Sequence, residues 1–169
     1  MTRTLMVLWI VVAVVVGTDS TSCAERTEDL FLSAVSAEKD GDLEKALDLF
    51  NEAVKLDPQN AAIYNNRGIV HARMKNHDKA VEDFAHALSI DPDNAGSYYN
   101  RGTAYEDMGK PDEAMRDYGE ALNIDPNNPA VLLTRAHLWR KLGDADRAEQ
   151  DLDRILRIDN RNVDALVML

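Results

Sequence analysis

An all-α fold, a solenoid of antiparallel helix pairs, is predicted by three features of this 169-residue sequence. The segment Ile90-Asp91-Pro92-Asp93-Asn94 has close copies at 56–60, 124–128 and 158–162, so it returns every 34 residues. Within each period the apolar positions recur at helical spacing, as in Tyr98, Gly102 and Tyr105, then Ala114, Tyr118, Ala121 and Leu122, which places them on one face of a 3.6-residue helix. Gly41, Gly109 and Gly143 divide their periods in two, because a residue without a Cβ ends a helix in the left-handed conformation at little cost. The second period has Lys75-Asn76 there, and Asn76 is the residue expected to take that conformation.

The first element is not part of the period. Arg3 precedes twelve unbroken apolar residues, Leu5 to Val16, followed by a small polar stretch. Twelve residues span roughly 18 Å of helix against the ~30 Å of a hydrocarbon core. Residues 1–24 therefore read as a signal peptide or N-terminal anchor, with a cleavage site ending at Ala24 or, second, at Gly17. Cys23, the one cysteine, stands where a bacterial lipoprotein carries its lipid, although the Leu usual three residues earlier is missing. Cleavage, lipidation at Cys23 and retention as an anchor through residues 5–18 all remain open. Each leaves residues 25 onward facing outward, in an extracytoplasmic location, secreted or periplasmic.

Four repeats follow, 27–60, 61–94, 95–128 and 129–162. Pro58, Pro92 and Pro126 stop each second helix near its Asp. The Asn two residues later caps the next first helix, and Pro129 behind Asn128 suits the first helical position. Gly68 with Ala80, and Gly102 with Ala114, are expected to face each other across the hairpin, with Phe84 or Tyr118 filling the neighbouring layer. Matching phases of successive hairpins would then stack into one continuous apolar spine. Residues 163–169 begin a capping helix whose Leu166, Val167, Met168 and Leu169 cannot all face inward. It is either a short frayed end or a sticky one that pairs with a second chain, making a homo-oligomer possible.

These columns resemble the tetratricopeptide repeat family, which shares the 34-residue helix–turn–helix period. The matching residues are Tyr64, Gly68, Ala80, Phe84, Ala87 and Pro92 in the second repeat, and Tyr98, Gly102, Tyr105, Ala114, Tyr118, Ala121 and Pro126 in the third. Repeats 1 and 4 are looser, with Leu30 and Leu132 for the aromatic, Leu152 for Phe and Asn160 for proline. The resemblance covers residues 27 to 162 and implies a right-handed superhelix whose first helices line a concave groove that holds a peptide segment of a partner protein. By register the groove carries Phe31 and Val35; Asn65, Ile69 and Arg73; Tyr99, Thr103 and Glu106; and Leu133, His137, Arg140 and Lys141. The family's clamp for a chaperone's C-terminal tail is not reproduced, since Phe31 and Val35 stand where its Lys and first Asn belong.

Composition narrows the function further. A formal charge of −11 repels phosphate backbones, and no basic stripe offsets it, so nucleic acid is not an expected partner. Contact with a membrane is expected only through the N-terminal segment. The four histidines are scattered and no metal-ligand, nucleophile-elbow or phosphate-loop motif occurs, so no catalysis, cofactor or metal is expected. His71 occupies the place of Tyr105 and Trp139 and reads as a core filler. Arg67, Arg101 and Arg135 share the period with Asp83, Asp117 and Asp151, which suggests a repeated inter-helix ion pair. Arg73, Asp107 and Lys141, with Glu106 and Arg140, either satisfy one another or leave His137, Arg140 and Lys141 as a basic end for an acidic peptide. The reading that results is an exported peptide-binding scaffold; the alternative is a structural subunit that self-associates through its last helix.

Overall fold

The computed structural model describes residues 22–168. The segment expected to be a signal or anchor lies almost wholly outside them, as does Leu169. The described chain is a right-handed solenoid of helices packed in antiparallel pairs: α1 (22–39) with α2 (Leu43–Leu56), α3 (Ala61–Arg73) with α4 (His77–Ile90), α5 (Ala95–Asp107) with α6 (Pro111–Ile124), and α7 (Pro129–Lys141) with α8 (Ala145–Ile158). A short α9 (Val163–Met168) stacks against α8. Among the described residues there is no strand, and no helix is long and apolar enough to cross a membrane.

The turns follow from a few side chains. After each second helix the backbone N–H of Asp57, Asp91, Asp125 or Asp159 donates to the carbonyl four residues back, closing the last turn. The carboxylates of Asp57, Asp91 and Asp125 then accept from the amides of Asn60, Asn94 and Asn128 at 3.0–3.1 Å. Each of those Asn residues uses its oxygen to cap the following helix, on the N–H of Ala62, Ser97 or Ala130. Asn162 does the same for Ala165. One amide thus ties a helix end to the next helix start, and this clip is why the five-residue segment recurs.

Between the helices of a pair, Gly41, Gly109 and Gly143 have φ of 84°, 72° and 86°. The second repeat corrects the sequence expectation: Lys75, not Asn76, takes the left-handed conformation, with φ 63°. Register explains it, because residue 75 is 34 beyond Gly41, and Asn76 is left to start α4. The same two backbone hydrogen bonds close all four bends, as in Gly109 N–H to Glu106 O and Lys110 N–H to Tyr105 O, both 2.9 Å, and this geometry fixes the conformation whichever residue stands there.

Packing within a pair also differs from expectation. The aromatic ring does not fill a neighbouring layer; it lies directly on the glycine. A Cβ on Gly68 would come within 2.7 Å of the Phe84 ring, and one on Gly102 within 2.7 Å of the Tyr118 ring. Ala80 and Ala114 are fully buried beside them, and the Ala114 carbonyl lies 3.3 Å from the same point at Gly102.

Nor is the spine continuous. The buried apolar residues form three clusters: one from Ala34 to Val70, a small one of Ala80, Phe84 and Ala104, and one from Ala114 to Ala165. The position through which each first helix stacks on the preceding repeat is Ile63, Val131 and Ala165 elsewhere, all buried, but Ser97 in the third repeat, equally buried. Its hydroxyl donates to Asn65 Oδ1 at 3.1 Å, so a hydrogen bond joins the apolar contact that Ala104 makes with Ala80 and Phe84 at the same junction.

Adding one carbon should therefore act oppositely at two glycines. Gly102→Ala is expected to cost about 2 kcal/mol by overpacking. Gly119→Ala, on α6 with nothing within 4 Å of the new carbon, should gain up to about 1 kcal/mol from helix propensity. Urea unfolding of the two variants beside the parent checks both signs.

Candidate functional site

Successive first helices α1, α3, α5 and α7 present the residues that register placed in the groove, and all but His137 are already engaged in the free protein. Phe31 meets Phe50 edge-on, centroids 5.9 Å apart, and with Val35 is half-buried against the first core cluster. Ile69 packs on the Phe84 cluster and Leu133 on the last one. Asn65 accepts at one oxygen from Ser97 and from Asn100 Nδ2, both at 3.1 Å, so its own amide hydrogens face no recorded acceptor. His137 is exposed.

A connected polar patch spans the third and fourth repeats. The Tyr99 ring lies 6.0 Å from the Tyr118 ring, and its hydroxyl is 3.4 Å from Thr134 Oγ1. Tyr118 reaches from α6 through the hairpin, donating toward Thr103 Oγ1 at 3.5 Å and Glu106 Oε2 at 3.3 Å. Burial, with the Glu106 charge acting in the same direction, holds this phenol well above its ordinary pKa; it stays a neutral donor at any physiological pH. Thr103 in turn donates to the Tyr99 carbonyl at 3.0 Å. Sequence reasoning placed Tyr118 in the core and missed its polar end. The available signal was its hydroxyl, in a column otherwise held by Phe50, Phe84 and Leu152.

The groove charges do satisfy partners, though not in the pairing that equivalent positions suggested. Arg73 donates to the Glu38 carboxylate and, at 2.8 Å, to its main-chain carbonyl. Lys141 lies 3.6 Å from Glu106. Each pair joins one first helix to the next. Asp107, at the same place in the third repeat as Arg73 in the second, has instead His77 Nδ1 at 3.8 Å. Arg140 donates to the Met168 carbonyl at 2.7 Å. Of the three residues of the basic end, only His137 has no recorded polar contact.

Away from the groove, the Arg and Asp columns form the repeated ion pair. Arg67, Arg101 and Arg135 each grip the Asp sixteen residues on through two hydrogen bonds of 2.6–2.9 Å. The pairs are not solvated columns: the Asp side chains are 7–8 % exposed and the Arg side chains 19–22 %. The hydrogen bond to Asp83 raises the Arg67 pKa above its ordinary value, and that to Asp117 does the same for Arg101. Arg67 also lies over the Tyr64 ring and Arg101 over Tyr98, at 5.4 and 5.5 Å.

His71 sits buried beside the first of these pairs, Nε2 4.0 Å from Asp83, with no partner for Nδ1. Burial lowers its pKa, outweighing the opposite pull of Asp83 and Glu82 and reinforced by Arg67 and Lys79. Cys23, the lipidation candidate, is half-buried in α1, its carbonyl accepting from Thr27 Oγ1 at 2.9 Å. No group of three or more His, Cys, Asp or Glu side chains that could hold a metal ion occurs among the described residues.

Three family models match the chain: two described as tetratricopeptide repeat, over residues 59–127 and 105–169, and one as TPR repeat, over 39–75. Among solved structures, a tetratricopeptide repeat protein from Parabacteroides merdae superposes with a TM-score of 0.77 at 27 % identity over 85 % of this chain. The chain spans 57 % of that protein's length. The Arabidopsis OM64 TPR domain gives 0.69 at 29 % identity, covering 70 % of this chain and 98 % of its own. The first TPR of Spaghetti (RPAP3), solved bound to the HSP90 peptide SRMEEVD, gives 0.68 at 24 % identity over 70 % and 94 % of the two chains, a likeness of fold.

Two measurements test the electrostatics. Arg101→Ala leaves the buried Asp117 carboxylate unpaired and should cost about 3 kcal/mol, and a double-mutant cycle with Asp117→Ala should return a coupling of about 2 kcal/mol. A folded-state pKa below the unfolded ~6.5 means that the unfolded chain binds the extra proton first. Stability from His71 is thus complete above pH ~6.5 and falls as the pH drops below it. His71→Tyr, the residue of the third repeat at that position, should remove this part of the acid destabilisation when urea midpoints are compared from pH 8 to 5.

Proposed function

The chain belongs to the tetratricopeptide repeat family, and from that premise we propose that it is an exported, non-catalytic scaffold that holds an extended segment of a partner protein in its groove. The observation that carries this is the groove surface itself: Ile69, Tyr99 and Leu133 stand half-buried among polar groups with unused capacity, namely the Asn65 amide hydrogens and the His137 ring. Half-buried apolar anchors beside unsatisfied donors are what a peptide main chain and its side chains need in order to gain on leaving water.

A protein of the same fold is solved with an HSP90 peptide, which supports a peptide as the ligand class. The tail of such a chaperone is not the ligand proposed for this chain, because the first helix offers Phe31 and Val35 where the family's clamp has polar groups. An acidic peptide at the basic end is also disfavoured, since it would have to displace Glu106 from Lys141 and the Met168 carbonyl from Arg140. The proposed segment is neutral and partly apolar. Export rests on Arg3 and the apolar run Leu5–Val16, with a location outside the cytoplasm.

Selection of peptides from a displayed random library on the full chain tests the groove. Selected peptides should lose about tenfold in affinity, ~1.4 kcal/mol, on Ile69→Ala and on His137→Glu, and be indifferent to Glu120→Ala on α6. Peptides equally tight on all three variants would place recognition elsewhere.

A further inference from the structure

The two ends of the solenoid are built differently. At the start, the positions through which later first helices stack on the repeat before them are Asp29 and Ser36, both exposed. Their counterparts Ile63, Val70, Val131 and Leu138 are buried and apolar. Leu32, between them on the same face, is 56 % exposed, but stacking another molecule on that end would bury the Asp29 carboxylate without a partner. At the other end α9 continues the stack: Ala165 is fully buried at the stacking position, and Met168 packs on the last core cluster. Among the described residues no second helix packs on α9. Leu166, in the column of the buried Tyr64 and Leu132, is 52 % exposed, and Val163 and Val167 are 69 % and 80 % exposed.

Charge says what can approach this surface. Residues 27–60 hold nine acidic and three basic residues, whereas 129–162 hold six and seven. Between 157 and 164 the charges are Arg157, Asp159, Arg161 and Asp164, two of each sign on the edge of the apolar patch. The last repeat is therefore where two such acidic chains can meet without like-charge repulsion, keeping their first repeats far apart. A balanced set of two arginines and two aspartates is self-complementary under a two-fold axis, as an isologous contact requires.

We propose that two copies of this chain pair tail to tail through α9 and the adjoining flank of α8, the exposed apolar face of one α9 against that of the other. Leu166 and Val167 of one copy cover those of the second, and Arg157 and Arg161 meet Asp159 and Asp164 across the axis. The Asp29 carboxylate disfavours stacking at the other end, so the two-fold contact closes the assembly at two, whereas a head-to-tail contact would grow without closing. The groove plays no part in the contact, so the pairing stands independently of the proposed peptide.

Sedimentation velocity of the full chain across a concentration series decides it. The expected result is one species of twice the 18.9 kDa chain mass, converted to monomer, with at least a hundredfold rise in Kd, by Leu166→Asp with Val167→Asp at unchanged helicity. Both changes are on exposed side chains, so folding is not at risk. The gentler Leu166→Ser should weaken the dimer at least tenfold, and raised salt should loosen it further. A monomer at 100 micromolar or about that overturns the proposal. So does a dimer that survives the double variant, which would point to association through the N-terminal segment. A ladder of growing oligomers overturns it too, as would a monomer that takes up a helix of another protein at Leu166.

Discussion

The contact between an aromatic ring and a bare backbone governs this molecule. In the second and third repeats the ring of Phe84 or Tyr118 occupies the space that a Cβ on Gly68 or Gly102 would need. This sets how closely the two helices of a pair approach. Interiors at crystal-like density transmit such a spacing onward, so the distance between helices in one hairpin also fixes where the next can stack. The outer repeats use Ala34 under Phe50 and Ala136 under Leu152, and all four of these residues are buried.

Once the hairpins have that spacing, the polar groups have little freedom. The Arg–Asp pairs sit between the helices of one repeat and leave the Asp side chains nearly dry, a position that demands the two-pronged geometry observed. The Asp–Asn clips work between repeats, tying the end of one hairpin to the start of the next through an amide that donates and accepts at once. At the junction of the second and third repeats, where Ser97 replaces an apolar residue, Asn65 and Asn100 complete a hydrogen-bonded contact. The small cluster of Ala80, Phe84 and Ala104 crosses the same junction, which lies in the middle of the groove. A buried polar contact keeps its directionality where apolar packing does not, so these hydrogen bonds add a preferred orientation to the apolar contact of Ala104 with Phe84.

The groove is thus a consequence of stacking. Parallel first helices held at regular spacing leave a trough, and what lines it depends on which side chains the core has not consumed. Phe31 and Val35 were legible as groove residues by register, yet the structure shows them leaning into the first core cluster. Tyr118 shows the converse: a core residue by its column, it sends its hydroxyl to Thr103 and Glu106. A position in a repeat predicts the direction of a Cβ well, but the far end of a long side chain goes where neighbouring helices leave room.

Sequence alone determined the period, the helix pairs, their caps and their closing glycines, because these depend on neighbours within five residues and on a pattern written four times. It also determined that the Arg and Asp columns would meet, since antiparallel helices of fixed length bring residues sixteen apart together. Tertiary structure decided the rest. Lys75 takes a left-handed conformation because the surrounding bend imposes it; Arg73 pairs with Glu38, and Lys141 with Glu106, because superhelical twist offsets each repeat against the next. Ser97 bonds to Asn65 because stacking brings α5 against α3. The bend at Lys75 is closed by hydrogen bonds within five residues, but the other outcomes turn on distances between segments about a full repeat apart, and local propensity carries no record of such distances.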